Sequence, residues 1–505
     1  MTNSISIKKA TGIYGIAKYS TIFIQLIISA VLSRILTPND YGIVAVVTVF
    51  TTLFTTLANL GLGTAVTQFK DLSRQDVQDI FTFSEYFSFA LALAFAIAAY
   101  PIALFYNDMV YVPIVLMLTI SILFNALNMI PNALLLREKE FLKVGIRMIV
   151  ATAMSGMVAV ILAFCGAKYY ALVIQSILNA FITFVWNYYG SGLKFKLKFS
   201  YEPIKHVKSY SLNQFLYNIA NYFAQNLDNL MTGKIMGNAM LAYYNKGYTL
   251  MRYPVTNIAH VITPVLHPIL SDHQNNKKYI FNEFVRISKI LSLLGVFITA
   301  FCFWADTEII VCYFGNQWYD SVEPFKWLST CICVQLLNAL FGSIYQSLGC
   351  TKQMLHSGIF HISISLLAII FGAYTRNITL LAIFVSTSMF VKFFIECYFL
   401  IKKSFGFSVF GFLKAFLPDC LIFVIMFVSF NIIGDFKQYG LWTSLFIKLG
   451  VACVEFLILL IITKQLHYFS AIMPAKFQRK KVDKLIKGRK MLRTEQNRTE
   501  QNRLY

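Results

Sequence analysis

Apolar runs long enough to cross the ~30 Å of hydrocarbon in a bilayer recur fourteen times along the chain. They fall near 13–35, 41–63, 80–104, 110–134, 145–166, 169–189, 209–235, 246–270, 287–312, 322–348, 354–374, 378–401, 409–433 and 441–463. The pattern predicts an all-α polytopic membrane protein of about fourteen transmembrane helices. The polar residues inside these runs are the informative ones. On the seventh, Ser211, Gln214, Asn218, Asn221, Gln225, Asp228 and Thr232 alternate in spacings of 3 and 4, which sets all of them on one helical face. A helix in lipid carries such a face only where it looks onto water or other polar groups. Asp228 sharpens the inference, because an unpaired charge in hydrocarbon costs several kcal/mol. The seventh helix is therefore expected to line a cavity, and a cavity across a bilayer points to transport.

Shorter polar faces occur on other helices: Thr48, Thr52, Thr55 and Asn59; Ser121, Asn125, Asn128 and Asn132; Gln335, Asn338, Gly342 and Tyr345. For these, cavity lining and helix packing through small and amide side chains are equally good readings.

The chain also contains itself twice. At an offset of 200, Lys8 meets Lys208, Thr11 meets Ser211, Gln25 meets Gln225 and Arg34 meets Lys234. At an offset of 213, Asn125-Ala126-Leu127 matches Asn338-Ala339-Leu340, and Gly145 meets Gly358. Two well-separated blocks at nearly one offset imply a repeat of six spans. The expected organisation is an N-terminal six-helix lobe (1–199), a C-terminal six-helix lobe (200–403), two additional helices (404–470) and a basic, disordered tail (471–505). Six is even, so the lobes enter the membrane in one direction and are expected to be pseudo-symmetric about the membrane normal.

Composition agrees with the hydropathy. Of 505 residues, 57% are hydrophobic and only 13% charged, against about 25% in soluble domains; the mean hydropathy is +0.63. The first apolar run is too long for a signal-peptide core and is expected to stay in place. The net charge of +21 does not point to nucleic acid, because its distribution is topological. With fourteen spans, one side collects Lys8, Lys9, Lys18, Arg137 to Arg147, Lys194 to Lys208, Lys277 to Lys289, Lys402, Lys403 and the tail. That asymmetry predicts a plasma-membrane protein with both termini in the cytoplasm. Nine cysteines sit mostly in apolar runs without CxxC or metal-ligand spacing, so no metal is expected.

Span eight carries Arg252, Thr256, His260, Thr263 and His267 on one face, with Pro254, Pro264 and Pro268 interrupting the backbone ladder. Such prolines suit a kinked, gating helix. Arg252 is suited to a phosphate or sugar carboxylate, or to neutralising Asp228. Arg34 and Lys234 are suited to an anionic headgroup, or simply to snorkelling. Glu85, Asp228 and His260 are the candidates for proton or ion coupling, with partnered burial as the alternative for each. Same-face pairs Lys392/Glu396 and Lys448/Glu455 are expected to neutralise each other. No GxxxxGK, GxSxG or HExxH occurs, so ATP hydrolysis and enzymatic activity are not expected, and neither is a cofactor.

Three segments carry a resemblance: Lys8-Lys9-Ala10-Thr11-Gly12; Leu32 to Gly42 (LSRILTPNDYG) with Leu60-Gly61-Leu62-Gly63; and Asn226-Leu227-Asp228-Asn229-Leu230 with Gly233-Lys234-Ile235-Met236-Gly237 and Ala242-Tyr243-Tyr244-Asn245. They resemble bacterial oligosaccharide flippases of the Wzx type, in the polysaccharide transporter branch with the colanic and teichuronic acid exporters. The resemblance implies the MOP exporter (MATE-like) fold. It also implies a substrate, an oligosaccharide repeat unit on undecaprenyl pyrophosphate, flipped to the outer leaflet for O-antigen, capsule or exopolysaccharide synthesis. On that reading Lys18, Gln25, Arg34, Asn218, Asn221, Gln225, Asp228, Lys234, Lys246 and Arg252 form the substrate cavity. Expected partners are the lipid-linked oligosaccharide, membrane lipids, and a polysaccharide polymerase with its chain-length machinery. A multidrug or organic-cation antiporter and a lipid II flippase of the same superfamily are the alternatives, with a membrane polysaccharide polymerase behind them.

Overall fold

The structure is a computed structural model that describes residues 7–470 apart from 70, 260–265, 267–269, 271–273 and 275. Every regular element among the described residues is helical. The first ten helices are α1 (Ile7–Ile35), α2 (Pro38–Ala58), α3 (Leu62–Gln68), α4 (Arg74–Tyr106), α5 (Tyr111–Leu127), α6 (Met129–Arg137), α7 (Phe141–Phe164), α8 (Tyr170–Ser191), α9 (Glu202–Met236) and α10 (Asn238–Pro254). They are followed by α11 (Lys277–Trp304), α12 (Asp306–Phe314), α13 (Val322–Ser329), α14 (Ile332–Ser347), α15 (Thr351–Tyr374) and α16 (Ile378–Cys397). The described residues close with α17 (Val409–Lys414), α18 (Leu417–Ile433), α19 (Leu441–Ile462) and α20 (Leu466–Ser470).

Ten of the described helices are long and apolar enough to cross a membrane, eleven if one bent pair counts as a single span. The expectation of fourteen differs at four places. The seventh span forms a helix of 35 residues, but its polar stripe removes the hydropathy of a span. The eighth runs into residues outside those described. The tenth is broken into the helix pair within 316–347. The thirteenth is a helix of only 17 residues. Histidines 260 and 267, Pro264, Pro268 and the tail from 471 onward lie outside the described residues. At Pro254 the α-helix gives way to a single π-turn, Val255–Ala259, as expected where proline removes a ladder bond.

The chain divides into two compact units, one of residues 1–251, 306–328 and 360–388, the other of 252–305, 329–359 and 389–505. This division follows packing density and cuts the chain at other points than the six-span repeat.

In the first unit, local chemistry starts the helices. Thr37 and Asp40 close a capping box, with Asp40 N donating to Thr37 Oγ1 at 3.2 Å and Thr37 N donating to Asp40 Oδ2 at 3.0 Å. Pro38 stands in the first turn of α2, where its missing N–H costs nothing. Ser73 and Asp76 do the same for α4. Helix α1 lies along α7 because α7 is narrow there: a Cβ on Gly156 would come within 1.9 Å of Ile28. Ile28, Leu32 and Leu36 pack on Ala159, Ala163 and Ala171, the small-residue contact that membrane helices use. Gly42 is more demanding: a Cβ there would stand 2.0 Å from the carbonyl oxygen of Asn238, so α2 meets the start of α10 backbone to backbone.

In the second unit, Leu293, Val296 and Ala300 of α11 pack against Ile422, Met426 and Phe430 of α18 and Ala452 and Phe456 of α19. Trp304 stacks on Phe430 with centroids 4.0 Å apart. Lys289 forms a buried ion pair with Asp419 and donates to Ala415 O at 2.9 Å. Lys448, read in the sequence as a partner of Glu455, donates instead to Trp304 O and to Asp435 Oδ1, each at 3.1 Å. Glu455 accepts from Ser429. Both lysines thereby tie the last two apolar helices to α11.

Candidate substrate cavity

A cavity of about 860 Å³ opens within the first unit. Its polar walls come from six helices: Gln25 of α1; Thr48, Thr51, Thr52, Thr55, Thr56 and Asn59 of α2; Ser121 and Asn125 of α5; Thr152 and Ser155 of α7; Gln175, Ser176 and Asn179 of α8; Asn218, Tyr222 and Asn226 of α9. Among the described residues no carboxylate and no cation lines it. The α2 threonines show how such a wall survives at membrane depth. Thr48, Thr52, Thr55 and Thr56 each donate to the carbonyl four residues back at 2.7–2.8 Å, which satisfies the hydroxyl proton and leaves the oxygen free to accept. Amides supply donors between them. Asn125 Nδ2 reaches Ser121 Oγ at 3.3 Å and Asn179 Nδ2 reaches Ser155 Oγ at 3.4 Å. The wall is thus dense in neutral donors and acceptors, the complement of a polyhydroxylated ligand.

A smaller recess of about 350 Å³ shares Thr48, Thr52, Gln175, Ser176 and Asn226 with the main cavity and is closed by Tyr41, Asn229, Asn245 and Lys246. Lys246 is the only charged residue on either wall among the described residues. It is 9% exposed. Its Nζ stands 3.7 Å from the centroid of Tyr41, 4.5 Å from Phe314 and 4.8 Å from Trp318. No carboxylate lies within ion-pair distance of it among the described residues. The box is itself braced: Trp318 Nε1 donates to Ser33 O at 2.7 Å, and Tyr41 meets Trp318 edge-on at 5.2 Å. The rings favour the ammonium form without neutralising it, against the burial that disfavours it, beside a neutral polar chamber.

The other residues singled out from sequence fall in several places. Gln25 and Asn218 line the large cavity; the side chains of Gln214, Asn221 and Gln225 lie outside those described. Asp228 is 5% exposed and turns toward α10. Tyr244 Oη donates to its Oδ2 at 3.1 Å and Asn229 N to its Oδ1 at 2.8 Å. Tyr244 lies two residues before Lys246, so Asp228 fixes the turn of α10 that carries the lysine. Arg34 is exposed and donates to Cys312 O at 2.6 Å, joining α1 to α12. Lys234, also exposed, donates to Phe105 O and covers the Phe105 ring at 4.8 Å. Glu85 is buried in α4 with one carboxylate oxygen unpartnered. Lys18 is half-buried on α1, outside the cavity lining. Arg252 lies in the second unit, where its carbonyl accepts from Thr256 Oγ1 at 3.1 Å. The α8 wall and the aromatic box were not singled out. Gln175, Ser176 and Asn179 do share a helical face, a short stripe of the kind noted elsewhere. Nothing in the sequence joins Tyr41 to Phe314 and Trp318.

The family model described as "Polysaccharide biosynthesis protein" matches residues 31–323, more than half of the chain. The chain belongs to this polysaccharide biosynthesis family. Among curated members, it is 24% identical to the lipopolysaccharide biosynthesis protein WzxC of Escherichia coli over 61% of its own length and 64% of that protein's. It is 22% identical to the teichuronic acid biosynthesis protein TuaB of Bacillus subtilis over 65% and 68%. The succinoglycan biosynthesis transport protein ExoT of Rhizobium meliloti matches at 20% identity. The chain thus spans about two thirds of the length of the curated relatives it matches. Among solved structures, the inward closed lipid II flippase MurJ superposes with a TM-score of 0.71 at 14% identity, over 90% of this chain and 99% of that one. An inward-facing multidrug MATE transporter of the MOP superfamily gives 0.58 at 14% identity, over 74% and 93%. This family member therefore has the MurJ and MATE fold and is a multi-pass membrane protein.

Proposed function

We propose that this polysaccharide biosynthesis protein is a flippase for lipid-linked oligosaccharide. It moves undecaprenyl-pyrophosphate-linked repeat units from the cytoplasmic to the outer leaflet by alternating access, for O-antigen, capsule or exopolysaccharide assembly. The observation that carries this reading is the pairing of a hydrogen-bonding chamber uncharged among the described residues with one caged lysine that has no acid partner among them. Hydroxyls and amides replace the water that a sugar head loses on leaving solution, and so lower the cost of taking it through hydrocarbon. The lysine offers a point charge to the pyrophosphate, while the polyprenyl tail stays in lipid. An organic-cation antiporter needs a carboxylate facing its ligand, and no described residue supplies one on these walls. The names of three curated relatives, tied to lipopolysaccharide, teichuronic acid and succinoglycan biosynthesis, favour this reading over lipid II. Both termini in the cytoplasm, the two six-helix lobes, and cooperation with a polymerase and chain-length machinery belong to the same proposal.

The test is transfer of a fluorescent polyprenyl-pyrophosphate oligosaccharide across proteoliposomes, with surface glycan scored in cells. Asp228→Ala and Arg252→Ala should each reduce export while membrane abundance is kept. Normal export in both variants would remove Asp228 and Arg252 from the transport machinery. Failure of the wild-type protein to flip any such lipid would remove the function.

A further inference from the structure

Helix α8 ends at Gly192, whose φ of +66° breaks the helical path, and the chain then runs outside helix and strand, with a bend at Leu197, to Ser200. In this strap lysine alternates with apolar residues: Lys194, Phe195, Lys196, Leu197, Lys198, Phe199. The strap is fastened along the first half of α4. Gln78 Nε2 donates to Lys194 O at 2.6 Å, and Lys194 N donates back to Gln78 Oε1 at 3.0 Å. Tyr86 Oη donates to Leu197 O at 2.7 Å, and the Lys196 backbone N–H faces the Glu85 carboxylate. Phe195 packs on Tyr188 and Phe81 at 5.0 and 5.7 Å, and Phe199 on Phe83 at 5.8 Å.

The three lysines occupy alternate positions of this short fastened strap. All three are exposed, and none has a carboxylate within ion-pair distance among the described residues. Immediately beyond the strap, α4 presents an outward apolar stripe: Phe89, Leu93 and Ile97 are 54%, 63% and 67% exposed. Leu197, at 86%, is the most exposed apolar residue of the strap. A group of three cations on a backbone fastened to α4 therefore stands where a lipid-facing helix surface begins.

We propose that the Lys194–Lys196–Lys198 strap is a docking site for the headgroups of anionic phospholipids in the adjoining leaflet. The phosphates lie against the lysines and the acyl chains along α4. The backbone fastening supplies the pre-organisation, so the lysines lose little entropy on meeting a headgroup. Exposed lysines beside a membrane are each attracted to anionic lipid, and the attraction is screened by salt. The proposal stands independently of the flippase reading.

The test counts lipids retained by the full-length protein after extraction from bilayers of phosphatidylcholine and phosphatidylglycerol, by native mass spectrometry. The wild type should prefer phosphatidylglycerol. The triple variant Lys194→Gln/Lys196→Gln/Lys198→Gln should lose that preference by roughly 10- to 100-fold, from the per-lysine attraction. The Arg triple variant should keep it, and 0.5 M salt should erase it in the wild type. An unchanged preference in the Gln variant overturns the proposal. So does a Gln variant that keeps phosphatidylglycerol but no longer binds a polyprenyl pyrophosphate, which would make the lysines a contact for the transported lipid instead. If the Gln variant does not fold, by circular dichroism and size-exclusion profile, a salt-insensitive preference in the wild type overturns it equally.

Discussion

Replacing Lys246 by Met removes the ammonium and keeps an unbranched stem of similar length, so its consequences separate charge from packing. In the wild type Lys246 is 9% exposed and its ammonium lies within 5 Å of three ring centroids. Desolvating it costs several kcal/mol, and each desolvated cation–π contact returns up to about 2 kcal/mol. The two nearly cancel, so Lys246→Met should leave thermal stability within about 3 °C of wild type. Binding is a different matter. A charge-assisted contact to a pyrophosphate oxygen contributes about 1.5–3 kcal/mol, and a unit charge at ~6 Å in an effective dielectric of ~20 supplies a similar amount. Lys246→Met should therefore weaken polyprenyl pyrophosphate binding by roughly 10- to 150-fold and cut export in parallel, while Lys246→Arg retains part of both. The assay is ligand titration of the purified protein followed by glycan export in cells. Wild-type affinity in the Met variant would refute the role given to the caged cation. A stability loss of about 3–5 kcal/mol would refute it differently, since that is what breaking a buried ion pair costs.

Gly42→Ala should be among the most damaging small substitutions, because its Cβ would fall 2.0 Å from a backbone oxygen rather than a movable side chain. Loss of several kcal/mol is expected, read as lower membrane yield and melting temperature, whereas Gly15→Ala, with nothing near its Cβ, should be tolerated. Asp419→Ala should destabilise by about 3–5 kcal/mol by stranding Lys289, and Lys289→Met/Asp419→Leu should recover most of it; thermal melts of the three proteins decide. Asp228→Asn preserves an acceptor for Tyr244 Oη and should keep more export than Asp228→Ala; equal loss in both would assign Asp228 a role through its charge.

The residues that decided the fold class are spread evenly through the chain. Runs such as 80–104 and 441–463 are helical spans on composition alone, because lipid leaves the backbone no other way to satisfy its hydrogen bonds. The polar stripe on α9 and the threonine ladder on α2 were equally legible, since a period of 3.6 is a property of local sequence, and Gln25, Asn218, Thr48 and Asn125 do line the chamber. The sequence could not say which way each polar group turns. Asp228 shares the stripe's face by spacing, yet its oxygens go to Tyr244 and to the Asn229 backbone, an outcome set by how α9 and α10 pack. Nor could it pair Lys448 with Asp435 in preference to Glu455, because helical spacing counts residues and not the helices packed alongside. The clearest case is Lys246, which the sequence offered only as one of several candidate cavity cations with nothing to set it apart from Lys18, Lys234 or Arg252. Rings at 41, 314 and 318 reach it only when helices nearly 300 residues apart are brought together, and that contact leaves it a buried lysine with no acid beside it among the described residues. Periodicity and hydropathy are local and survive in the unfolded chain; a cage assembled from three distant segments exists only once tertiary packing excludes water from it.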